Sequence, residues 1–305
     1  MLNIYYSLKP FIPRTLQITL RRAIASRKRS RHLHTWPIDE KACAPPDNWP
    51  GWPEGKKFAF VLTHDVETRK GQDKCERLME LEEDLGFRSS FNFVPKRYDV
   101  SAELRLRLFQ LGFEVGVHGL HHDGKLYRSR EIFLDRAAQI NRYLKEWNSV
   151  GFRSPSMHHN LDWILDLDVE YDSSTFDTDP FEPQTDGIGK IFPFRVTSVA
   201  RPKGYVELPY TLAQDFTLFI LLKEKSIDIW TRKLDWIASK GGMALLNTHP
   251  DYMNFGRQKI TKEEYPAVFY ERFLRHVNET YHDQYWHALP REVAAHYRDS
   301  FKLKS

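Results

Sequence analysis

Two carboxylates, Asp65 and Glu67, stand two residues apart at the end of the apolar run 58–63. Such a run reads as a buried strand, and parallel α/β architectures handle ligands at the C-terminal ends of their strands, where the loops converge. A second apolar run, 113–117, ends in His118 and, four residues on, His122. A helical turn there would direct both imidazoles to one side, which is workable metal geometry. With 13 histidines in the chain a pair at this spacing also arises by chance, so position gives it weight. Two strand ends facing one mouth would bring two histidines to a carboxylate, an open site for a catalytic Zn²⁺ or a similar ion. His121 would point elsewhere, packed or hydrogen-bonded. The run 150–152 leads into Arg153, Pro155 and Ser156, and the run 243–246 into Asn247 and His249. Each has a plainer reading, Arg153 as a surface ion-pair partner and His249 as a histidine fixed by the turn before Pro250. Their recurrence at strand ends favours a common site.

The elements that must position these groups alternate. After the first strand a helical pattern runs from Asp73 with Leu78, Met79, Leu81 and Leu85 apolar and Gly86 as its stop. A strand at 89–94, an amphipathic helix at 101–111 ended by Gly112, and a long helix capped by Ser129 follow. This order predicts an α/β fold with a parallel sheet, closed or nearly closed into a barrel. Residues 166–220 read as irregular or antiparallel insertions with short β-like runs at 191–196 and 205–208. A helix at 227–239, a strand at 243–246 and a helix opened by a Thr261 to Glu264 capping box complete the pattern.

At 305 residues and 41% hydrophobic the chain can bury a full core, and one large domain is expected over residues 56–305. Residues 1–55 precede it as a basic arm and a Pro-rich connector, 44–53, that suits neither helix nor strand. Eight of the 45 Lys and Arg lie in residues 1–38 with no acid among them, which leaves 37 against 41 acids beyond. Within the arm, Leu16, Leu20, Ala23 and Ile24 recur at helical spacing among arginines, while Ile18 falls off that face. A solvated tail and a helix lying peripherally on an anionic membrane surface are the two readings. Nucleic acid is not expected as a partner, because no basic groove studded with aromatics follows. The N-terminus lacks a signal-peptide series and no run spans a bilayer, so the expected location is cytoplasmic, membrane-peripheral if the arm binds lipid. Cys43 and Cys75 form no disulfide framework and lack the spacing of a cysteine zinc site.

Taken in order, these motifs resemble the polysaccharide deacetylases of carbohydrate esterase family 4, the NodB-homology domain, over roughly residues 56–250. The family pattern is an acid pair closing the first strand, His-x-x-x-His, Arg-x-Pro, an Asp/Trp segment and Leu-x-His. Here it is met by Asp65 with Glu67, His118 with His122, Arg153 with Pro155, a poorly matched stretch at 172–181, and Leu246, displaced by one, with His249. The resemblance implies a distorted (β/α)₇ barrel and metal-dependent hydrolysis of an N-acetyl group on a sugar, glycan or lipid- or nucleotide-linked precursor. It implies Glu67, His118 and His122 as ligands of Zn²⁺ or another divalent ion, Asp65 as the base that takes the proton of water, and His249 as the acid that protonates the departing amine. Arg153 would hold Asp65 ionised, and backbone N–H groups after Pro155, around Ser156, would form the oxyanion donor. The chain departs from the family in having Val66 between the acids and a glutamate as the second. Strand alternation keeps positions 65 and 67 on one side. His64 and Ser156 stand where an aromatic and a tyrosine are usual, and with no tryptophan in the fourth motif, Phe176 or Phe181 is the expected pocket wall. Hydrolysis of another C–N or ester bond, or a non-catalytic glycan-binding role, are the alternatives on the same scaffold.

Overall fold

The structure is a computed structural model that describes residues 14–256 and 259–302; the first 13 residues of the basic arm and the last three of the chain lie outside them. Strand β1 (Phe58–Val66) is buried along all nine residues, as a strand flanked on both edges and covered on both faces must be. It pairs in parallel with β2 (Ser90–Phe93) through its last four residues. From β2 the parallel ladder runs through β3 (Glu114–His118), β4 (Gly151–Arg153) and β5 (Tyr171–Asp172). A short strand β6 (Phe194–Val196) lies antiparallel to β7 (Tyr205–Glu207), which itself adds in parallel to β5. Strand β8 (Met243–Thr248) then pairs with β1 over six residues. Beyond Glu207 the chain continues to Tyr210 and Leu212, which bridge in parallel to Phe176 and to Leu246 of β8. Among the described residues, seven parallel strands thus form a ring, β1–β5, β7 and β8. Single bridges close its last side, so the barrel is the distorted one expected, with the antiparallel insertion in residues 166–220.

Helices cover the outside for reasons visible in their sequences. Ser101 and Ser129 accept from Leu104 N and Ile132 N and cap the helices Ala102–Gln110 and Arg130–Glu146. Gly241, in the left-handed region at φ 74°, ends the helix Asp228–Lys240. One expected cap does something else. Thr261 N donates to Glu264 Oε2 as in a capping box, but the Thr261 hydroxyl accepts from Glu263 N, and the chain passes into the short parallel pair β9 (Met253–Asn254) and β10 (Tyr265–Pro266). The helix starts only at Val268, because in a helix capped by Thr261 residue 266 would have to donate to the Lys262 carbonyl, and Pro266 has no N–H. Strand β11 (Tyr285–His287) pairs with residues Phe58 to Phe60 of β1, below the point where β2 begins.

The helix α1 (Arg14–Arg31) packs on this body. Ile18 and Ala25 are each 2% exposed, Arg22 Nε donates to the Ile220 carbonyl at 2.8 Å, and Lys28 Nζ donates to that of Pro180 at 2.7 Å. Arg29 pairs with Glu224, and Trp36 meets the edge of Phe181 at 4.9 Å between ring centroids. No helix among the described residues is long and apolar enough to cross a membrane.

Candidate active site and metal centre

Strand alternation turns Thr63 and Asp65 of β1 into the ring and His64 out of it. Asp65 is paired in register with Asn92 of β2, and Asn92 with Gly116 of β3. That register explains the glycine. A Cβ at Gly116 would stand 2.0 Å from Asn92 Oδ1, so only glycine leaves the amide room to lie across and donate to Asp65 Oδ1 at 3.0 Å. From β8, Asn247 donates to the other oxygen, Oδ2, at 2.9 Å. Arg153 Nε lies 3.6 Å from Oδ1 and His118 Nε2 3.9 Å from Oδ2. Burial by itself would raise the pKa of this carboxyl, but His118, Arg153, His249 and the Asn92 hydrogen bond outweigh it and hold Asp65 below the ordinary range. Asp65 is thus an oriented anion at neutral pH.

His118 ends β3 with its Nδ1 3.1 Å from the Arg153 carbonyl. That partner takes the Nδ1 proton and leaves Nε2 as the lone-pair nitrogen facing the carboxylates. Burial pushes its pKa down to about 4, so the ring is neutral, as a ligand must be. The expected helical turn after it is absent. Residues 119–122 bend instead through positive φ at Gly119 (61°) and His122 (54°), which brings the two imidazole centroids to 5.1 Å. Gly119 N donates to the same Arg153 carbonyl at 3.0 Å. A Cβ on it would strike Pro155 Cγ at 2.3 Å. The His-Gly-x-x-His and Arg-x-Pro segments are therefore packed into one another.

Glu67 lies just past β1, and its loop is pinned from the turn that follows the neighbouring strand β8. Asp251 Oδ2 accepts from Glu67 N at 2.9 Å, and Thr68 Oγ1 donates to Oδ1. Tyr252 donates its hydroxyl to Glu67 Oε2 at 3.2 Å. Burial opposes ionisation of Glu67, but His122, with His249 and His118 behind it, holds the carboxyl well below the usual range. His122 Nε2 stands 3.0 Å from Glu67 Oε1, yet it has no hydrogen-bond partner and is shielded from solvent. Donor atoms of Glu67, His118 and His122 all lie within 4.8 Å of one another. One anionic oxygen and two imidazole nitrogens, that of His122 without a hydrogen-bond partner, fit a divalent ion of the Zn²⁺ type.

His249 follows β8. Its Nδ1 is 2.7 Å from Asp215 Oδ1, and its backbone N donates to Asp215 Oδ2 at 2.9 Å. Burial works against the imidazolium, but the buried Asp215 carboxylate, joined by Glu67 and Asp65, outweighs it and pushes the pKa up to about 10. The ring is a cation at neutral pH with Nε2–H as its free proton. Asp215 also takes the first N–H of the wide helical turn Phe216–Leu221, so that turn and the acid's partner are fixed together. Pro155 is buried, and Ser156, partly exposed, occupies the left-handed region at φ 55°.

The structure brings together Asp65, Glu67, His118, His122, Arg153 and His249, drawn from four strand ends. The sequence reading missed the residues that hold them: Asn92, Asn247, Asp215, Asp251 and Tyr252. A polar residue within the apolar run 90–94 was a signal for Asn92, whereas nothing near Asp215 pointed to it. The expected pocket walls are elsewhere. Phe176 is 1% exposed and packs on Tyr210 at 5.6 Å where the ring closes, and Phe181 packs on Trp36. Below the site, His64 is held by Thr248 Oγ1 and Glu82 Oε1, each at 2.7 Å, in a buried polar network outside the ring.

No family model matches the chain, and no curated protein sequence does. Solved structures do match it. A putative polysaccharide deacetylase from Mycobacterium smegmatis superposes with a TM-score of 0.63 at 18% identity, over 82% of this chain and 93% of that one. The Puue allantoinase gives 0.62 at 15% identity, over 87% and 98%. A probable polysaccharide deacetylase from Pseudomonas aeruginosa PAO1 gives 0.60 at 16%, over 84% and 95%. The chain has the polysaccharide deacetylase fold.

Proposed function

We propose that this chain, built on the polysaccharide deacetylase fold, is a metal-dependent hydrolase that removes acetyl from an N-acetylated amino sugar, free, in a glycan or on a glycan precursor. The observation that carries the reading is the convergence of Glu67, His118 and His122 donors within 4.8 Å beside the oriented carboxylate of Asp65. A divalent ion held by those three residues, Zn²⁺ being the natural candidate, supplies Lewis acidity toward the acetamide carbonyl and the attacking water. Asp65, ionised and aimed by Asn92 and Asn247, accepts the water's proton as the C–O bond forms. Arg153, 3.6 Å away, keeps that carboxylate charged until then. His249 gives its Nε2 proton to the nitrogen as the C–N bond breaks, and Asp215 stabilises the cation beforehand and fixes the ring through Nδ1. Free acetate and the amine of the sugar are the products. The turn at Pro155 and Ser156 borders the site, and a backbone N–H there is our candidate donor to the oxyanion.

The allantoinase neighbour supports a second reading, hydrolysis of a different C–N bond by the same groups. Acetate release is measured with a panel of N-acetylated monosaccharides, oligosaccharides and nucleotide- or lipid-linked forms, and allantoin hydrolysis beside it, each with chelator or added Zn²⁺. Metal-dependent acetate release supports the deacetylase. Turnover of allantoin alone would replace it with the second reading, and metal-free protein inert toward the whole panel would leave a binding protein.

A further inference from the structure

We infer that α1 is a foot on which the protein sits against an anionic lipid bilayer, so that the site takes its amino sugar from a lipid carrier in that surface; the choice of sugar substrate rests on the deacetylase reading above. The helix has two faces with different fates. Ile18 and Ala25 are spent on the body, and Arg22, Lys28 and Arg29 fasten that side through Ile220, Pro180 and Glu224. On the opposite side Leu16, Leu20 and Ile24 are 50, 48 and 56% exposed. Their spacing of four stacks them in one row, and at spacings of three and four the row runs on through Arg27 and Arg31, both exposed. A fastened helix needs no second apolar face to fold.

Charge selects the occupant. Residues 14–31 hold no acid. A groove of about 780 Å³ runs along the helix, with apolar Ala23, Phe219 and Leu221 beside the cationic Arg22, Lys223 and Lys262; the acid in its lining, Glu264, is already paired with Lys70 and Lys74. Leucine side chains that enter the acyl boundary, with arginines reaching to phosphate, match an anionic lipid surface. A second copy of the chain is a poorer fit, because a two-fold contact would set Arg27 and Arg31 of both copies in one interface without a carboxylate. The foot also lies next to the site. Arg21, one residue past Leu20 and turned inward, covers the Phe216 ring at 4.6 Å. Phe216 meets Tyr252 at 4.9 Å, and Tyr252 meets His249 at 5.2 Å and hydrogen-bonds Glu67. Three ring contacts thus join the lipid-facing helix to the catalytic histidine.

The test is sedimentation of the full chain with vesicles of mixed phosphatidylglycerol and phosphatidylcholine, or of phosphatidylcholine alone. Leu20→Asp with Ile24→Asp, Arg27→Gln with Arg31→Gln, and Val199→Asp at a fully exposed distant position are compared. Wild type and Val199→Asp should bind the anionic vesicles only, and each double variant should bind about tenfold or more weakly. Melting temperature and acetate release from a soluble N-acetylated sugar should stay at wild-type values in all three, while release from a lipid-linked sugar in the vesicles falls in the double variants. Wild type that ignores anionic vesicles overturns the inference, as does a Leu20→Asp/Ile24→Asp protein that binds them normally. So does a wild-type oligomer that this variant dissociates without loss of vesicle binding. If vesicles bind but no sugar releases acetate, the deacetylase reading fails and the foot stands.

Discussion

Asp65 and Glu67 lie two residues apart yet have different neighbours, and their substitutions should separate. Asp65 is aimed by two asparagine amides, whereas Glu67 faces the orphaned nitrogen of His122. Asp65→Asn should keep a bound divalent ion and lose about 10² to 10⁴ in rate, roughly 3 to 5 kcal/mol of the barrel's transition-state stabilisation. Glu67→Gln should lose the ion first and regain part of its rate in excess Zn²⁺. Elemental analysis beside acetate release checks both, and a metal-free Asp65→Asn protein would exchange the two roles. His249 provides a pH prediction. Asp215 lifts its pKa to about 10 against the effect of burial, so the acid is present below that value and lost above it. In Asp215→Asn the cation loses its partner while burial remains, and the alkaline limb of the rate profile should move down by units toward the ordinary histidine value of about 6.5 or beyond. An alkaline limb at the wild-type position in that variant would remove His249 from the acid's role.

At the scale of elements, two glycines decide whether the strand ends can meet. Gly116 makes room for Asn92, and Gly119 combines a φ of 61° with close contact to Pro155. Gly116→Ala should cost about 1 to 3 kcal/mol through overpacking and swing the Asn92 amide off Asp65, lowering kcat while the metal stays bound. Gly119→Ala should instead weaken metal binding, because the bend that carries His122 back to His118 no longer closes. Zinc stoichiometry together with turnover on the two variants distinguishes them, and equal metal content in both would show that the bend does not set the ligand geometry. The elements themselves were legible: periodicity and caps marked β3 and the helices at 102–110, 130–146 and 228–240 within a residue or two, and the start of β1, whose end lies three residues beyond the apolar run. The turn after His118 was not. Two imidazoles four apart suit a helical turn, and only the packing of Gly119 against Pro155 replaces it with a bend.

On the scale of the whole molecule, α1 is part of the body that carries the site. Ile18→Ala, which empties a fully covered position, should cost about 2 to 4 kcal/mol and lower the melting temperature by several degrees. Leu20→Ala on the exposed side should leave it unchanged within error. Equal melting temperatures for the two variants would mean that the helix does not dock. Because the helix lies on the turn Phe216–Leu221 next to Asp215, removal of residues 1–40 should lower turnover of a soluble substrate as well as stability, which kinetics on the truncated chain would measure.

The sequence by itself determined the alternation of strand and helix, a parallel sheet closed or nearly closed into a barrel, and the motif residues at four strand ends, because each is written in local periodicity or in side-chain type; the distortion of the barrel came only with the family resemblance. The tertiary structure decided what holds those residues. Asn92 and Asn247 reach Asp65 across β1, Asp215 reaches His249 from 34 residues away, and Asp251 pins Glu67 from 184 away. No local pattern encodes such partners, since any polar residue on the right strand face could serve, and which one does follows from register. Register also decided which face of α1 was buried. Its sequence offers Leu16, Leu20 and Ile24 as the apolar face, but Ile18 and Ala25 are the residues buried against the body, with arginine and lysine donors beside them finding backbone carbonyls that only the folded barrel presents.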